Sequence, residues 1–294
     1  MLRIIEETPG NYHVYKGTPS EDRFRLSLVD LGHGQREASV NRETDWVHDA
    51  PLDPDSRAAQ ILRGEIDDPE ADEKKQRNLE RAARRAKVNV RRRCKAQGLD
   101  KLFTLTYRGN QTDQALCELH LKLFLERIRR VIPNFVYVAC FEQQKRGAWH
   151  IHLAARRLPM TLKASNGVAV KSWNIVRSIW RSVTGVWGGN FDQARKKYYA
   201  KMSPAKCAAY ISKYVLKMFA EGVEHSKRFR ASKCDVPKPT MMEFQRASLA
   251  DVMELAVSWV CEGGQALATS WLSQFKDVYF VVSEPPGRAT NLPD

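Results

Sequence analysis

One run constrains this chain more than any other: Glu142 to His152, reading Glu-Gln-Gln-Lys-Arg-Gly-Ala-Trp-His-Ile-His. From Ala148 to Ala155 the residues fit a strand, and a period of two sets His150 and His152 on one face. Trp149, Ile151 and Leu153 then lie on the other. Two imidazoles so placed can reach one cation, and a carboxylate stands just upstream, so the run reads as half of a metal site.

The flanking sequence supplies strands and helices to hold it. Lys101 to Tyr107 alternates, with Phe103, Leu105 and Tyr107 on one face and Thr104 and Thr106 on the other. Asp113 to Val131 is a helix with apolar Leu116, Leu119, Leu123 and Ile128, ended by Pro133 and Asn134. Phe135 to Phe141 is a second strand, Gln143 to Gly147 a polar turn, and Ala148 to Ala155 the third strand. In the helix Asn174 to Thr184, Trp173, Val176, Trp180 and Val183 fall on one stripe, which reads as core rather than as a base-stacking platform. Asn190 to Asp192 is a further short strand, and Arg195 to Lys201 is basic.

Charge indicates the partner. The chain has 294 residues, a formal net charge of +14 and a pI near 9.6. Lys and Arg that neutralise phosphates release counterions, so this balance points to nucleic acid. From Glu73 a Pro-free and Gly-free segment gathers Arg84, Arg85, Arg91, Arg92 and Arg93 with few acids to pair them. It reads as a basic helix on a DNA backbone, closed by Gly98. The six cysteines form no C-x-x-C pair, which fits reduced thiols in the cytoplasm rather than a disulfide or zinc framework. No apolar run approaches a membrane span or a signal peptide, so no membrane partner is expected.

A second chemical element lies downstream. Ser203 and Pro204 start a helix as N-cap and first helical residue, and Gly222 is its stop. At about 100° per residue, Ala208, Ile211, Val215, Met218 and Phe219 share one face, and Tyr210, Lys213, Tyr214 and Lys217 gather opposite. Phenols beside ammonium groups and a bound cation suit attack on a phosphodiester: the cations favour the phenolate and offset charge in the transition state.

Taken together, the strand Phe103-Thr-Leu-Thr-Tyr107, the His150-Ile-His152 pair and the helix segment Tyr210-Ile-Ser-Lys-Tyr-Val-Leu-Lys217 resemble, in order, the HUH endonucleases. The likeness is to the rolling-circle replication initiators of bacteriophages and bacterial mobile elements, and it covers roughly residues 80 to 222. It implies that His150 and His152 ligate magnesium or manganese, with Glu142 as the acidic third ligand. Glu142 shares a side with His150 if the hairpin register pairs an even-sum set. The resemblance also implies that Tyr210 or Tyr214, Tyr210 first, becomes joined to the 5′ phosphate of nicked single-stranded origin DNA. Arg146, in the turn before the histidines, is expected among the nucleic-acid contacts. One departure is a doubled Y-x-x-K spacing in place of the Y-x-x-x-K of some branches.

The expected fold is α+β, a central, mainly antiparallel sheet flanked by helices. Residues 1–72 are expected as a partly irregular extension, 73–222 as the nuclease domain and 223–294 as a helical extension. In that last segment 235–240 reads as a linker and 241–260 and 267–275 as helices. No G-x-x-x-x-G-K-[ST] is present, so unwinding is left to a host helicase, and extension to a host DNA polymerase, in the cytoplasm of a bacterial cell. The alternatives are a transposase or relaxase of the same chemistry, or a non-catalytic DNA-binding repressor module. A structural zinc protein lacks the cysteine companions it would need.

Overall fold

The computed structural model describes residues 1–164, 166–193, 203–220 and 229–285. The basic run Arg195 to Lys201, the helix stop at Gly222 and the side chains of Met218 and Phe219 lie outside what is described. In chain order the elements are β1 (Leu2–Thr8), β2 (Asn11–Asp30), β3 (Arg36–Pro51), α1 (Arg57–Leu62), α2 (Ala71–Ala96), β4 (Lys101–Thr106), α3 (Gln114–Val131) and β5 (Tyr137–Gln143). Then follow β6 (Trp149–Ala155), β7 (Thr161–Lys163), β8 (Ala169–Lys171), α4 (Ser172–Thr184), a 3-10 turn (Gly185–Trp187), β9 (Asn190–Gln193) and α5 (Pro204–Ala220). The chain continues with β10 (Arg230–Ala231), β11 (Thr240–Phe244), α6 (Leu249–Cys261), β12 (Ala266–Leu272) and β13 (Val278–Glu284). The fold is α+β, as the sequence leads one to expect. It divides into two compact units, Leu79–Val236 and Met1–Asn78 joined by the chain from Pro237.

The unit Leu79–Val236 is built on a five-stranded sheet of order β10-β5-β6-β4-β9, with every pairing antiparallel. Period-two patterning gives the sheet two apolar faces. Phe103, Leu105, Tyr137, Ala139, Phe141, Trp149, Ile151 and Leu153 pack against α3 and α4. Leu102, Val138, Cys140 and Ala154 pack on the other side, against Val90 and Cys94 of α2 and Cys207, Ala208, Ile211 and Val215 of α5. Burying each of the larger side chains contributes roughly 1.5–3 kcal/mol. The tryptophan stripe is core: Trp180 is fully buried with Trp173 and Val183 packed nearby, and its indole Nε1 donates to Thr106 O at 2.9 Å.

Local signals set the ends of these helices. Asp113 accepts from Leu116 N at 3.1 Å to cap α3, and Ser203 accepts from Lys206 N at 3.2 Å to start α5 before Pro204. Gly98, at φ +61°, turns the chain out of α2, a conformation that glycine adopts without a Cβ penalty.

The other unit corrects the sequence reading. Residues 1–72 are not an irregular extension: β1, β2 and β3 form a sheet with β13 and β12 in the order β1-β2-β3-β13-β12, and β11 pairs with β2. Phe24, Leu26 and Leu28 alternate toward α6, where they meet Val252, Ala256 and Val260. The strands were hidden by their punctuation. Gly17 lies opposite Trp46, where an added Cβ would stand 2.8 Å from the indole ring, and the ladder shifts register between Pro19 and Phe24.

The chain after 223 is not wholly helical either. Thr240–Phe244 is a strand because it pairs with β2, so the expected helix from 241 begins only at Leu249, capped by Ser248. The stretch near Leu267 to Phe275, expected as a helix, is β12 and a turn; pairing with β13 overrides the helical preference of its Ala and Leu residues. The boundary between the units does fall within the expected linker 235–240.

Candidate functional site

The face of the five-stranded sheet under α5 also carries its polar residues. In the β5–β6 hairpin Glu142 pairs directly with His150, and Cys140 with His152, so the register is the even-sum one and all three candidate ligands share that face. On β4, Thr104 pairs with His152.

Hydrogen bonds fix His152 at both ring nitrogens. Its Nε2 lies 2.8 Å from Glu142 Oε2 and its Nδ1 3.3 Å from Thr104 Oγ1. A carboxylate only accepts, so Nε2 carries the proton and Nδ1 accepts from the threonine hydroxyl. Because that hydroxyl can equally accept, the tautomer can switch and free Nε2 without loss of the threonine bond. Burial pushes the pKa of His152 below the usual imidazole value, against the opposing pull of Glu142. His150 is lowered likewise, by burial and then by the nearby His152, and its Nδ1 lies 3.2 Å from Gln144 Nε2. Both rings are therefore neutral near pH 7, the form that binds metals.

Glu142 is the hub. Burial pushes its pKa up, but hydrogen bonds from Lys217 and His152 outweigh that and hold it below the usual carboxylate value. Lys217 Nζ donates to Glu142 Oε1 at 2.9 Å and to Gln143 O at 3.2 Å.

The tyrosines come down from α5 onto this network. Tyr214 stacks on the His152 ring, centroids 3.8 Å apart and planes 10° from parallel. Tyr210 meets the same imidazole edge-on at 6.4 Å, and the Tyr214 hydroxyl donates to Tyr210 Oη at 2.9 Å. The expectation of tyrosines on the face opposite the apolar stripe is corrected here. They flank that stripe and pack, half-buried, against the same core, because their turn-by-turn spacing sets them between Ile211 and Lys217. Lys213, one step further round, is exposed and takes no part in the network.

The donor types and the shared face fit a divalent cation. Among the described residues, however, no three His, Cys, Asp or Glu side chains form a ready-made cation cage. Glu142 is held by His152 and Lys217, and the Lys217 ammonium stands against the carboxylate as a positive charge.

The expected nucleic-acid arginines divide. Arg146 sits exposed on the β5–β6 turn, its Nε 3.1 Å from Gln144 Oε1, and Gln144 in turn meets His150. Arg84, Arg85 and Arg92 of α2 line a separate pocket of about 420 Å³ with Val88, Asn89 and Val236. Arg84 pairs with Glu80 at 3.6 Å, and Arg91 is half-buried. Arg93 is spent on structure, bonding Asn89 Oδ1 at 2.9 Å and Ser232 O at 3.4 Å. Sequence reasoning passed over Thr104 and Gln144, which hold the two histidines. Thr104 was findable as the polar position of β4 on the histidine side; Gln144, in a turn, had no such signal.

Charge is unevenly spread along the chain: residues 79–236 hold 33 of the 48 Lys and Arg but only 10 of the 34 Asp and Glu. An affinity for polyanions therefore resides in the unit that carries the cluster. Among the described residues no helix is long and apolar enough to cross a membrane.

Known proteins are similar to this unit alone. A family model described as Replication-associated protein ORF2 matches residues 100–219, which take in β4, the histidine strand and the tyrosine helix. No curated protein and no solved structure matches the chain. The matched stretch is thus similar to a replication-associated family, and the likeness points to a role in DNA replication.

Proposed function

We propose that this chain is a replication initiator of the HUH endonuclease type, which nicks single-stranded origin DNA through a tyrosine. The observation that carries the reading is the meeting of Tyr214 and His152, which joins two elements far apart in sequence in one polar cluster. Tyr210 is the attacking group. Its oxygen accepts a hydrogen bond from Tyr214, which favours the phenolate over the phenol. That oxygen attacks phosphorus in line, a phosphotyrosine bond forms to the 5′ side, and the phosphorus bond to the 3′ oxygen breaks. The proton lost by the phenol ends on the departing 3′ hydroxyl, which then primes synthesis. Tyr214, one helical turn away, can repeat the attack in a later round or assist closure of the strand.

His150, His152 and Glu142 would hold a magnesium or manganese ion, which when bound withdraws charge from a non-bridging phosphate oxygen. Lys217 offsets the charge that develops in the transition state and keeps Glu142 ionised. A host helicase and DNA polymerase would supply unwinding and extension in a bacterial cytoplasm.

The test is a covalent adduct. The protein is incubated with labelled single-stranded origin DNA and manganese, and a slow-migrating band is sought on a denaturing gel. Loss of the band in Tyr210→Phe/Tyr214→Phe supports the reading. An undiminished band in that double variant, or none with the wild-type chain, sinks it.

A further inference from the structure

Beside the histidine cluster, the end of β4 opens into a pocket of about 470 Å³ lined by Thr106, Tyr107, Arg108, Arg181, Gly185 and Gly188 to Asn190. We propose that this pocket seats a nucleotide of the single strand next to the nicked bond, its phosphate on Arg108 and Arg181 and its base on Trp187. The proposal deepens the endonuclease reading and rests on it for the choice of a single DNA strand as ligand.

Three observations carry it. The first is charge without compensation: Arg108 and Arg181 are both exposed, and neither meets a carboxylate among the described residues. Arg181 Nε is anchored on Gly189 O at 3.2 Å, which holds the guanidinium at the pocket wall. Two fixed guanidinium groups suit a phosphate.

The second is an exposed aromatic held firmly in place. Trp187 remains 36% exposed, next to a Val186 that is wholly exposed, and its carbonyl accepts from Arg108 N at 3.1 Å. Its ring lies against Gly109, where an added Cβ would be 3.2 Å from Cε3. Glycines make the loop possible: Gly185 and Gly188 both take φ +55°, and a Cβ on Gly189 would stand 2.5 Å from Trp180 Nε1. A tight, glycine-built turn thus presents an indole to solvent beside two arginines. Aromatic faces of this kind take bases from unpaired strands irrespective of sequence.

The third is position. Thr106 lines the pocket, and Thr104, two residues back on β4 and roughly 7 Å away along the strand, contacts His152. One strand of DNA can lie across both.

The test is fluorescence anisotropy of the full chain with a fluorescein-labelled, mixed-sequence 20-nucleotide DNA, across a salt series. Arg108→Ala/Arg181→Ala is expected to weaken binding at least tenfold and to make the salt dependence shallower by about 1.4, at about 0.7 per lost phosphate contact on a single strand. Trp187→Ala is expected to weaken binding about tenfold at unchanged salt dependence, with Trp187→Phe restoring most of it. Unchanged affinity in both variants overturns the proposal, as does a duplex that competes as well as the single strand. Should the double alanine variant lose its far-ultraviolet circular dichroism, Arg181→Gln alone replaces it, with a shift of about 0.7 expected. The assay reads binding and not cleavage. A wild-type chain that forms no adduct but shows these losses refutes nicking and leaves the pocket standing.

Discussion

The phenol ring of Tyr214 lies flat on the imidazole of His152, 3.8 Å between centroids, while its hydroxyl reaches Tyr210. The ring and the hydroxyl can be separated by mutation. Tyr214→Phe keeps the stack and removes the hydrogen bond, so unfolding in urea should be little changed while adduct formation through Tyr210 slows. Tyr214→Ala removes both and should destabilise the Leu79–Val236 unit by about 1–2 kcal/mol. Equal stability losses in the two variants would mean that the stack contributes nothing.

Thr104 works through His152. With the hydroxyl gone, Thr104→Val leaves Nδ1 without a partner and the ring free to turn. Manganese affinity, read by titration calorimetry, should fall roughly 10- to 100-fold. Thr104→Ser, which keeps the hydroxyl, should stay near wild type.

The pH response of Glu142 follows from its partners. Its folded pKa lies below its unfolded one, so the stability it contributes is present above the unfolded value and is lost as pH falls through the folded value. Lys217→Met deletes one of the two hydrogen bonds that lower it. The carboxyl titration followed by NMR should move up in pH, and acid unfolding should begin at a higher pH. A titration that stays in place would show that His152 alone sets it.

His120 should make the unit sensitive to mild acid. It is buried within α3, 3.2 Å from Tyr107 Oη, and burial lowers its pKa. The unfolded chain therefore binds the proton more readily, and stability is full above about pH 6.5 and declines as pH drops below it. His120→Gln should flatten that decline in urea titrations run at about pH 7.5 and about pH 5.5, on either side of the imidazole range.

Gly189 has no room for a methyl group. A Cβ there would meet Trp180 Nε1 at 2.5 Å and Thr106 O at 3.1 Å, the two atoms that form the buried indole hydrogen bond. Gly189→Ala should cost about 1–3 kcal/mol in chemical denaturation and shift or broaden the tryptophan emission.

What could be read in advance follows a physical line. The period of two separates His150 and His152 from Trp149, Ile151 and Leu153 without any knowledge of tertiary structure, and Ser203-Pro204 marks a helix start by local chemistry alone. Register and docking are non-local. That Glu142 pairs with His150, or that Tyr214 comes to rest on His152, depends on pairings and packing between segments that no single window contains. The strands of residues 1–72 escaped for a related reason: glycine and proline that signal loops elsewhere mark bends in long strands here, and the partner strand β13 lies at the far end of the sequence. β12 misled in the opposite sense, since its Ala and Leu favour a helix until β13 claims its backbone.

The sheet order β1-β2-β3-β13-β12 makes the order of synthesis consequential. Strands β1 to β3 leave the ribosome first, yet their sheet stays open until β13 and α6 have been translated; the unit Leu79–Val236 is complete well before then. The basic, tyrosine-bearing unit should therefore fold first, while the earlier-made strands wait with an unpaired edge. A ribosome stalled just past β11 would display a finished nuclease-like unit tethered to an unfinished one, and limited proteolysis of such stalled chains should cut before Leu79 while sparing the rest.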